Sequence, residues 1–527
     1  MAQRIGCSAR ELAEKLIKAH PPLPEIERFE VAGPGFINIY LEADVRTDII
    51  VDILEQKGNY ACQKAGSQGR ALVGFVSANP TGPLHIGHGR GAAYGATLVN
   101  LLTAVGYKTD SEYYVNDKGR QMDTLVLSVW FRYLDLCGES IELPEGCYQG
   151  DYVWDLAANV RNAHKNLFVR PAANLFKEAP VNPDSRLDYA IERVKALLQE
   201  QFKVLFNNVL DAMLQSIKDE LERLGISYTK WFSEREFITE DEISKAIQLL
   251  VDKDMVYEKD GAKWFKSSDF GDEKDRVVIR ANGQTTYFAS DIAYHINKYQ
   301  RGYDLLVNVW GADHHGYITR VLAAMKASGL DVKRLHIVLV QFVNLYRGGE
   351  KVSMSTRSGE FQPLSALRKE VGRDHARLFY LMRRYSQHLD FNITLAQSQN
   401  SENPVYYIQY AYARVCSLFS QLQREGYQFT LKHDSLSQLK GQEEIELLKQ
   451  LVQYKVVLQN AATEKEPYIL SSYLRQLAGA FHSYYNSHKF LVDDEALRNA
   501  RLSLAQAIGQ IIKNSLKILG ISAPESM

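Results

Sequence analysis

Two histidines, His85 and His88, stand three residues apart with Gly87 between them, inside the stretch SANPTGPLHIGHGRGAAYG at 77–95. The apolar, β-prone run Ala71–Val76 precedes them. A helical pattern through Ala92, Ala93, Leu98, Val99, Leu101, Leu102 and Val105 follows and ends at Gly106. A strand, a Gly/Pro-rich turn and a helix start make a phosphate-handling unit, because the first N–H groups of a helix have no partner within it and attract anions. The two imidazoles can face one ligand, and Gly87 lets the backbone approach it closely. No GKS or GKT follows, so this is not a Walker loop. Nor do Gly87, Gly89 and Gly91 form a Gly-x-Gly-x-x-Gly dinucleotide turn.

Two further groups carry chemistry. The segment KVSMSTRSG at 351–359 follows a strand and is flanked by glycine, so its cations, Lys351 and Arg357, can close on a triphosphate. GADHHG at 311–316 lies between a strand and a helix, which sets Asp313, His314 and His315 where they can meet a nucleoside or its ribose. A metal pair is the competing reading of these residues, but no further ligand lies nearby in sequence. Tyr287 and Asp291 are four apart and share one face at a helix start.

Alternating strand and helix patterns predict the elements that hold these groups. Asp304–Val309 reads as a buried strand before GADHHG, and Leu335–Leu345 as another. Asn282-Gly283, between Val277–Arg280 and Thr285–Phe288, predicts a hairpin. The expected core is a doubly wound parallel sheet, with ligand at the carboxyl ends of its strands. A long insertion, about 115–225, interrupts it. Within the insertion, Leu187–Leu224 has helical periodicity and ends at a capping Gly225.

Around that core we expect four segments. Residues 1–65 read as a small α/β module with a helix at Ala9–Ala19 and a strand-turn-strand about Gly33-Pro34-Gly35. Residues 66–360 form the catalytic domain, 361–399 a connecting helical segment, and 400–527 an all-α bundle with Leu504, Ile508, Ile511, Ile512 and Leu516 inward.

A chain of 527 residues suits two to four domains. Its formal net charge of −1 means that any nucleic-acid site is a local basic surface. Arg368–Arg384, with Arg368, Lys369, Arg373, Arg377, Arg383 and Arg384, offers one candidate and equally a solvated helix face. Five scattered cysteines, without CxxC or zinc spacing, point to a reducing compartment and no zinc site. Neither a secretory signal nor a membrane-spanning run is present in the sequence, so a cytoplasmic protein without a membrane partner is expected.

Several stretches together resemble one family. HIGH after a strand is similar to the signature of class I aminoacyl-tRNA synthetases. The longer run 77–95, followed by EYYVNDKGRQ at 112–121, resembles bacterial-type arginyl-tRNA synthetases. VAGPGFINIYL at 31–41, WFSE at 231–234, NPVYYIQYAYAR at 403–414 and LKILGISAPESM at 516–527 extend the resemblance over nearly the whole chain, in order.

The resemblance implies a ligase that joins L-arginine to its tRNA with ATP, through an adenylate and transfer to the terminal 2′-hydroxyl, and that needs bound tRNA for the first step. His85, Gly87, His88, Gly311, Asp313, His314, His315, Met354 and Ser355 would then meet ATP, with Lys351 or Arg357 supplying catalytic charge. The second signature departs from KMSKS: Ser353 and Thr356 stand where lysines are usual. Ser77, Asn79, Glu234, Tyr287 and Asp291 would hold arginine, since a carboxylate grips a guanidinium fork in a way that an ammonium cannot copy. Phe36, Asn38, Tyr406, Tyr410, Arg414 and Met527 would meet tRNA. Mg2+ enters as the ATP counter-ion, the N-terminus reads as shortened, and a monomer is expected. The competing expectations are a tRNA-binding paralogue without catalysis, which the altered second signature keeps open, and another HIGH-type nucleotidyl transferase, which the helical last third argues against.

Overall fold

The computed structural model describes residues 2–23, 26–41, 43–139, 141–171, 175–176, 178–352 and 362–527. Contacts divide the chain into two compact units. One comprises Gln63–Ser398 with Lys465–Tyr468, the other Met1–Cys62, Gln399–Glu464 and Ile469–Met527.

The first unit is built on a five-stranded, wholly parallel sheet. Its strands lie in the order Leu335–Val340, Leu305–Gly311, Arg70–Gly74, Lys108–Val115 and Lys230–Ser233. Leu305–Gly311 and Arg70–Gly74 are neighbours, and the chain runs outward from this pair in opposite directions. Such a switch point leaves a crevice beyond the carboxyl ends of the two strands. The HIGH segment and GADHHG leave the sheet there, one after each strand. Leu72 and Leu306 from these strands bury against Phe232, Ile292 and Ala324, and this core fixes the crevice floor.

Close packing sets the HIGH helix, Ile86–Ala104, on the sheet. A Cβ at Gly95 would fall 2.2 Å from Cγ and 2.5 Å from Cβ of Phe75. Neither atom can swing away, so overpacking outweighs the roughly 1 kcal/mol by which alanine favours a helix over glycine. We expect Gly95→Ala to lower stability by about 1–2 kcal/mol. A melting temperature at or above that of the parent would refute this.

Helices Arg120–Leu136, Asp151–His164, Pro183–Leu198 and Glu200–Arg223 fill the predicted insertion. The helical periodicity over Leu187–Leu224 is carried by two helices. The chain breaks at Gln199, with φ at +47°, before resuming. Its end at Gly225, with φ at +70°, is as expected.

Leu335–Leu345 is likewise not one strand. Leu335–Val340 belongs to the parallel sheet, whereas Val343–Arg347 pairs with Glu350–Lys351 and Leu389–Asn392 in a second sheet. The backbone at the break is drawn elsewhere. The Gln341 N–H donates to the Tyr385 carbonyl, and the Gln341 carbonyl accepts from Arg90. The Asn282-Gly283 turn forms, but its second arm is a single bridge, Ile279 to Thr285, before a helix begins at Tyr287.

In the second unit, Ile26–Ala32 and Phe36–Leu41 form an antiparallel hairpin beside the helix Ala9–Ala19. Helix Ala43–Gln56 packs against Gln442–Thr463 and Glu495–Leu519. Long helices Pro404–Arg424, Gln442–Thr463, Tyr468–Ser487 and Glu495–Leu519 make the expected bundle, with Leu504, Ile508, Ile511, Ile512 and Leu516 buried. No helix among the described residues is long and apolar enough to cross a membrane.

Candidate active site

The segment leaving the Arg70–Gly74 strand is strained and tightly held. Val76 and Ser77 both take positive φ, +65° and +45°. That conformation is unfavourable for a side chain, above all a β-branched one. The neighbouring strand fixes it: the Tyr114 N–H donates to Ser77 Oγ at 3.1 Å, and the Tyr113 hydroxyl donates to the Ala78 carbonyl at 2.8 Å.

His85 is the N-cap of the HIGH helix. Its Nδ1 accepts from the N–H groups of Gly87 at 3.1 Å and His88 at 3.4 Å, while His88 Nδ1 accepts from the His85 N–H at 3.3 Å. This reciprocal cap stacks the rings, with centroids 3.6 Å apart. Because both Nδ1 atoms are acceptors, the neutral rings carry their protons on Nε2, the far edge of each ring. Burial lowers the His85 pKa, and burial followed by the neighbouring His85 takes His88 down to about 3. Both are therefore neutral donors at physiological pH. A Cβ at Gly87 would come 3.0 Å from His85 Cε1, so glycine leaves the His85 ring its room.

The other side of the crevice follows Leu305–Gly311. Gly311 ends the strand, and a Cβ there would lie 2.4 Å from Asp313 Oδ1. The short 3₁₀ helix Ala312–Tyr317 carries Asp313, His314 and His315, all exposed, with His314 Nε2 3.4 Å from Asp313 Oδ2. Asp313 lies within electrostatic reach of His85, so the GADHHG segment meets the HIGH segment. No group of three or more metal-ligating side chains occurs among the described residues.

Beyond the second signature, the chain is zipped to the first. The Ile86 N–H donates to the Gln362 carbonyl, and the Leu364 N–H to the Leu84 carbonyl. Lys351 is exposed in the Glu350–Lys351 strand. Ser353, Met354, Ser355, Thr356 and Arg357 lie outside the described residues.

Two carboxylates, Glu234 and Asp291, lie within electrostatic reach of each other in the same unit. Glu234, 6% exposed, opens a short helix after Lys230–Ser233, and Asp291 lies one turn into the Tyr287–Gln300 helix. Tyr114 lies within electrostatic reach of both and hydrogen bonds to Glu234. The Tyr317 hydroxyl donates to Asp291 Oδ2. Burial raises the Glu234 pKa and lifts that of Asp291 to about 7. Tyr317 opposes the Asp291 shift, while the charge of Glu234 adds to it. Lys118 is within electrostatic reach of Glu234. Asn116 lies between Asn79, 3.2 Å away, and Glu234, 3.0 Å away, and Asn79 donates to Gln121 at 2.6 Å. Tyr287, 67% exposed, stands at the rim. The pocket is thus a pair of carboxylates held by neutral donors, an arrangement that accepts a cation.

Sequence reasoning missed Tyr114, Tyr317 and Asn116 as pocket members. EYYVNDKGRQ contains Tyr114 and Asn116, and Tyr317 follows GADHHG by one residue, but no spacing rule marks any of them. The basic run 368–384 is not one surface. Arg368 is paired with Glu220, and the buried Arg377 donates to the Leu224 carbonyl.

In the helical unit, Phe36 is 71% exposed on the hairpin, with Asn38 exposed two residues on. Tyr406, Tyr410 and Arg414 share one face of Pro404–Arg424. The tyrosine rings stack at 5.8 Å, and the Arg414 guanidinium lies 4.7 Å from the Tyr410 ring. Met527 is exposed.

Comparison with known proteins places these features in one family. The family model for the class I (R) tRNA synthetase catalytic domain matches residues 49–382, that for the arginyl tRNA synthetase N-terminal domain 1–41, and that for the DALR anticodon binding domain 408–527. The chain is 50% identical to the arginine–tRNA ligase of Thioalkalivibrio sulfidiphilus over 531 residues, covering 98% of this chain and 90% of that one. It is 48% identical to that of Legionella pneumophila, at 98% and 89% coverage. A Campylobacter jejuni structure described as an arginyl-tRNA synthetase superposes with a TM-score of 0.80 at 34% identity, over 92% of this chain and all of that one. The Thermus thermophilus arginyl-tRNA synthetase shares the fold at a TM-score of 0.75 and 22% identity, covering 100% of this chain and 93% of the other. The chain belongs to the arginyl-tRNA synthetase family of class I.

Proposed function

We propose that the protein is an arginine–tRNA ligase acting in the cytoplasm as a monomer. The observation that carries this reading is the adjacency of two sites: a pair of neutral imidazole donors at a helix start, and a carboxylate pocket in the same parallel-sheet unit.

Arginine enters with its guanidinium toward Glu234 and Asp291, while Asn79, Ser77 and Tyr287 border its backbone end. Its carboxylate oxygen attacks the α-phosphorus of ATP, forming the acyl–phosphate bond as pyrophosphate departs. Charge grows on the phosphoryl oxygens, and the Nε2–H groups of His85 and His88 stabilise it without an added cation. Gly87 and Gly311 admit the nucleotide, and Asp313, His314 and His315 hold its nucleoside end. Lys351 or Arg357, with Met354 and Ser355, serves the triphosphate. Mg2+ would enter with ATP as its counter-ion. The 2′-hydroxyl of the terminal adenosine then attacks the arginyl carbonyl and AMP leaves. Phe36 and Asn38 read an unstacked base of the tRNA, and Tyr406, Tyr410, Arg414 and Met527 form a stacking face for the anticodon region.

The test is ATP–pyrophosphate exchange with L-arginine, with and without total tRNA. We expect exchange only when tRNA is present. Exchange without tRNA keeps the ligase and removes the tRNA requirement. Absence of exchange in both, with tRNA still bound, would replace this reading with a catalytically silent tRNA-binding protein.

A further inference from the structure

Tyr317 belongs to two sites at once. It is the last residue of the 3₁₀ helix Ala312–Tyr317, whose earlier residues Asp313, His314 and His315 stand on the nucleotide side of the crevice. Its hydroxyl donates to Asp291 Oδ2, on the guanidinium side. One tight helical segment therefore carries both sets of groups. At three residues per turn, Asp313 and Tyr317 lie little more than one turn apart.

Aromatic rings brace the segment along its length. Trp310, near the end of the Leu305–Gly311 strand, has its ring 6.1 Å from that of His314 and 6.2 Å from that of Tyr317. Phe288 meets the Tyr317 ring edge-on at 6.1 Å, from the same helix that carries Asp291, and the Arg320 guanidinium lies 5.5 Å from the Tyr317 ring. A nucleotide that draws Asp313, His314 or His315 toward itself thus shifts the hydroxyl that orients the Asp291 carboxylate.

We infer that Tyr317 is a positioning residue that couples the nucleotide and arginine sites, so that each ligand tightens the other through the Tyr317–Asp291 hydrogen bond. This rests on the reading of Glu234 and Asp291 as the guanidinium pocket. Coupling of this kind is reciprocal: the factor by which nucleotide tightens arginine equals the factor by which arginine tightens nucleotide. Tyr317 touches neither ligand's reacting atoms, so its removal acts on this factor.

The experiment is isothermal titration of the full-length protein with L-arginine, alone and at saturating α,β-methylene-ATP, for the parent, Tyr317→Phe and Tyr317→Gln, with Asp291→Asn as the pocket control. We expect the analogue to tighten arginine by at least about fivefold in the parent, the lower end of ordinary site–site coupling. In Tyr317→Phe, which keeps the ring but loses the donor, we expect the factor to fall to within about twofold of unity. Tyr317→Gln restores a donor and is expected to recover part of the factor. It also provides the readout if the phenylalanine variant does not fold. A purely structural tyrosine would weaken arginine alike with and without nucleotide and leave the factor unchanged. That result, or a parent without coupling, overturns the inference. If the parent and Asp291→Asn bind arginine equally, the pocket reading itself fails instead.

Discussion

Asp291→Asn is expected to lower kcat/KM for arginine by about 10²–10³-fold, expressed chiefly in KM. Truncating one member of a desolvated, hydrogen-bonded charge pair costs about 2–5 kcal/mol, and every 1.4 kcal/mol is tenfold. The guanidinium would still find Glu234, so the loss stops short of abolition. The parent should also show a characteristic pH dependence. Asp291 is lifted to about 7 by burial, with Tyr317 opposing and Glu234 reinforcing the shift. The guanidinium keeps its charge throughout, so only the carboxylate titrates. The ionised form binds arginine, and the proton competes below its pKa. Apparent arginine affinity should therefore rise with pH and level off above about 7, with a loss approaching tenfold per unit on the acid side. In Asp291→Asn this limb should vanish. Arginine titrations between pH 5.5 and 8.5 check both claims, and an unchanged KM in the variant would remove Asp291 from the pocket.

His85→Asn should cost about 10²–10³-fold in kcat with the fold intact. Asparagine is among the best N-cap residues, so the bonds that His85 Nδ1 receives at the helix start can be replaced. The far donor cannot, because the shorter side chain does not reach the position of Nε2. Removing one preorganised donor of this kind typically costs two to three decades in rate. His85→Ala removes cap and donor together and should lose about 1 kcal/mol of stability besides. The contrast between the two variants, read as kcat in pyrophosphate exchange against melting temperature, separates catalysis from capping. Equal kcat in the parent and the asparagine variant would leave His85 a purely structural cap. Burial lowers both imidazole pKa values, and His88, at about 3, should add no limb to the rate profile between pH 6 and 8.

Much of this architecture was legible in the sequence because its signals are local. Strand Arg70–Gly74, the turn after it and the helix from Ile86 are written in contiguous residues. The same holds for Leu305–Gly311 and GADHHG, and a parallel sheet with a site at its carboxyl edge follows from their alternation. What stayed hidden depends on contacts between distant residues. Tyr114 and Tyr317 join Glu234 and Asp291, which the family resemblance already pointed to, only because the sheet order brings four separate segments together. No periodicity records that tertiary fact. Gln199 breaks a helix with a residue that is itself a good helix former, so propensity gives no warning. The apolar run Leu335–Leu345 conceals a change of sheet because Arg90 and Tyr385 claim the backbone of Gln341, and hydropathy does not register where a carbonyl's partner comes from. The basic run near Arg377 misleads for a related reason: composition counts a buried guanidinium the same as an exposed one.

The pair of positive-φ residues at Val76 and Ser77 has a consequence for how this protein can change. Each non-glycine residue in that region costs on the order of 1–3 kcal/mol, against a total folding stability of only about 5–15 kcal/mol for a typical domain. The most direct substitution for a hardier fold is therefore glycine at 76 or 77. Yet Ser77 Oγ is what receives the Tyr114 N–H, and relaxing the backbone there would loosen the register of the segment that leads to His85. At these two adjacent positions robustness and reactivity pull in opposite directions. Variants selected for heat tolerance should accumulate elsewhere, in the helical unit and on the insertion, before they reach this turn.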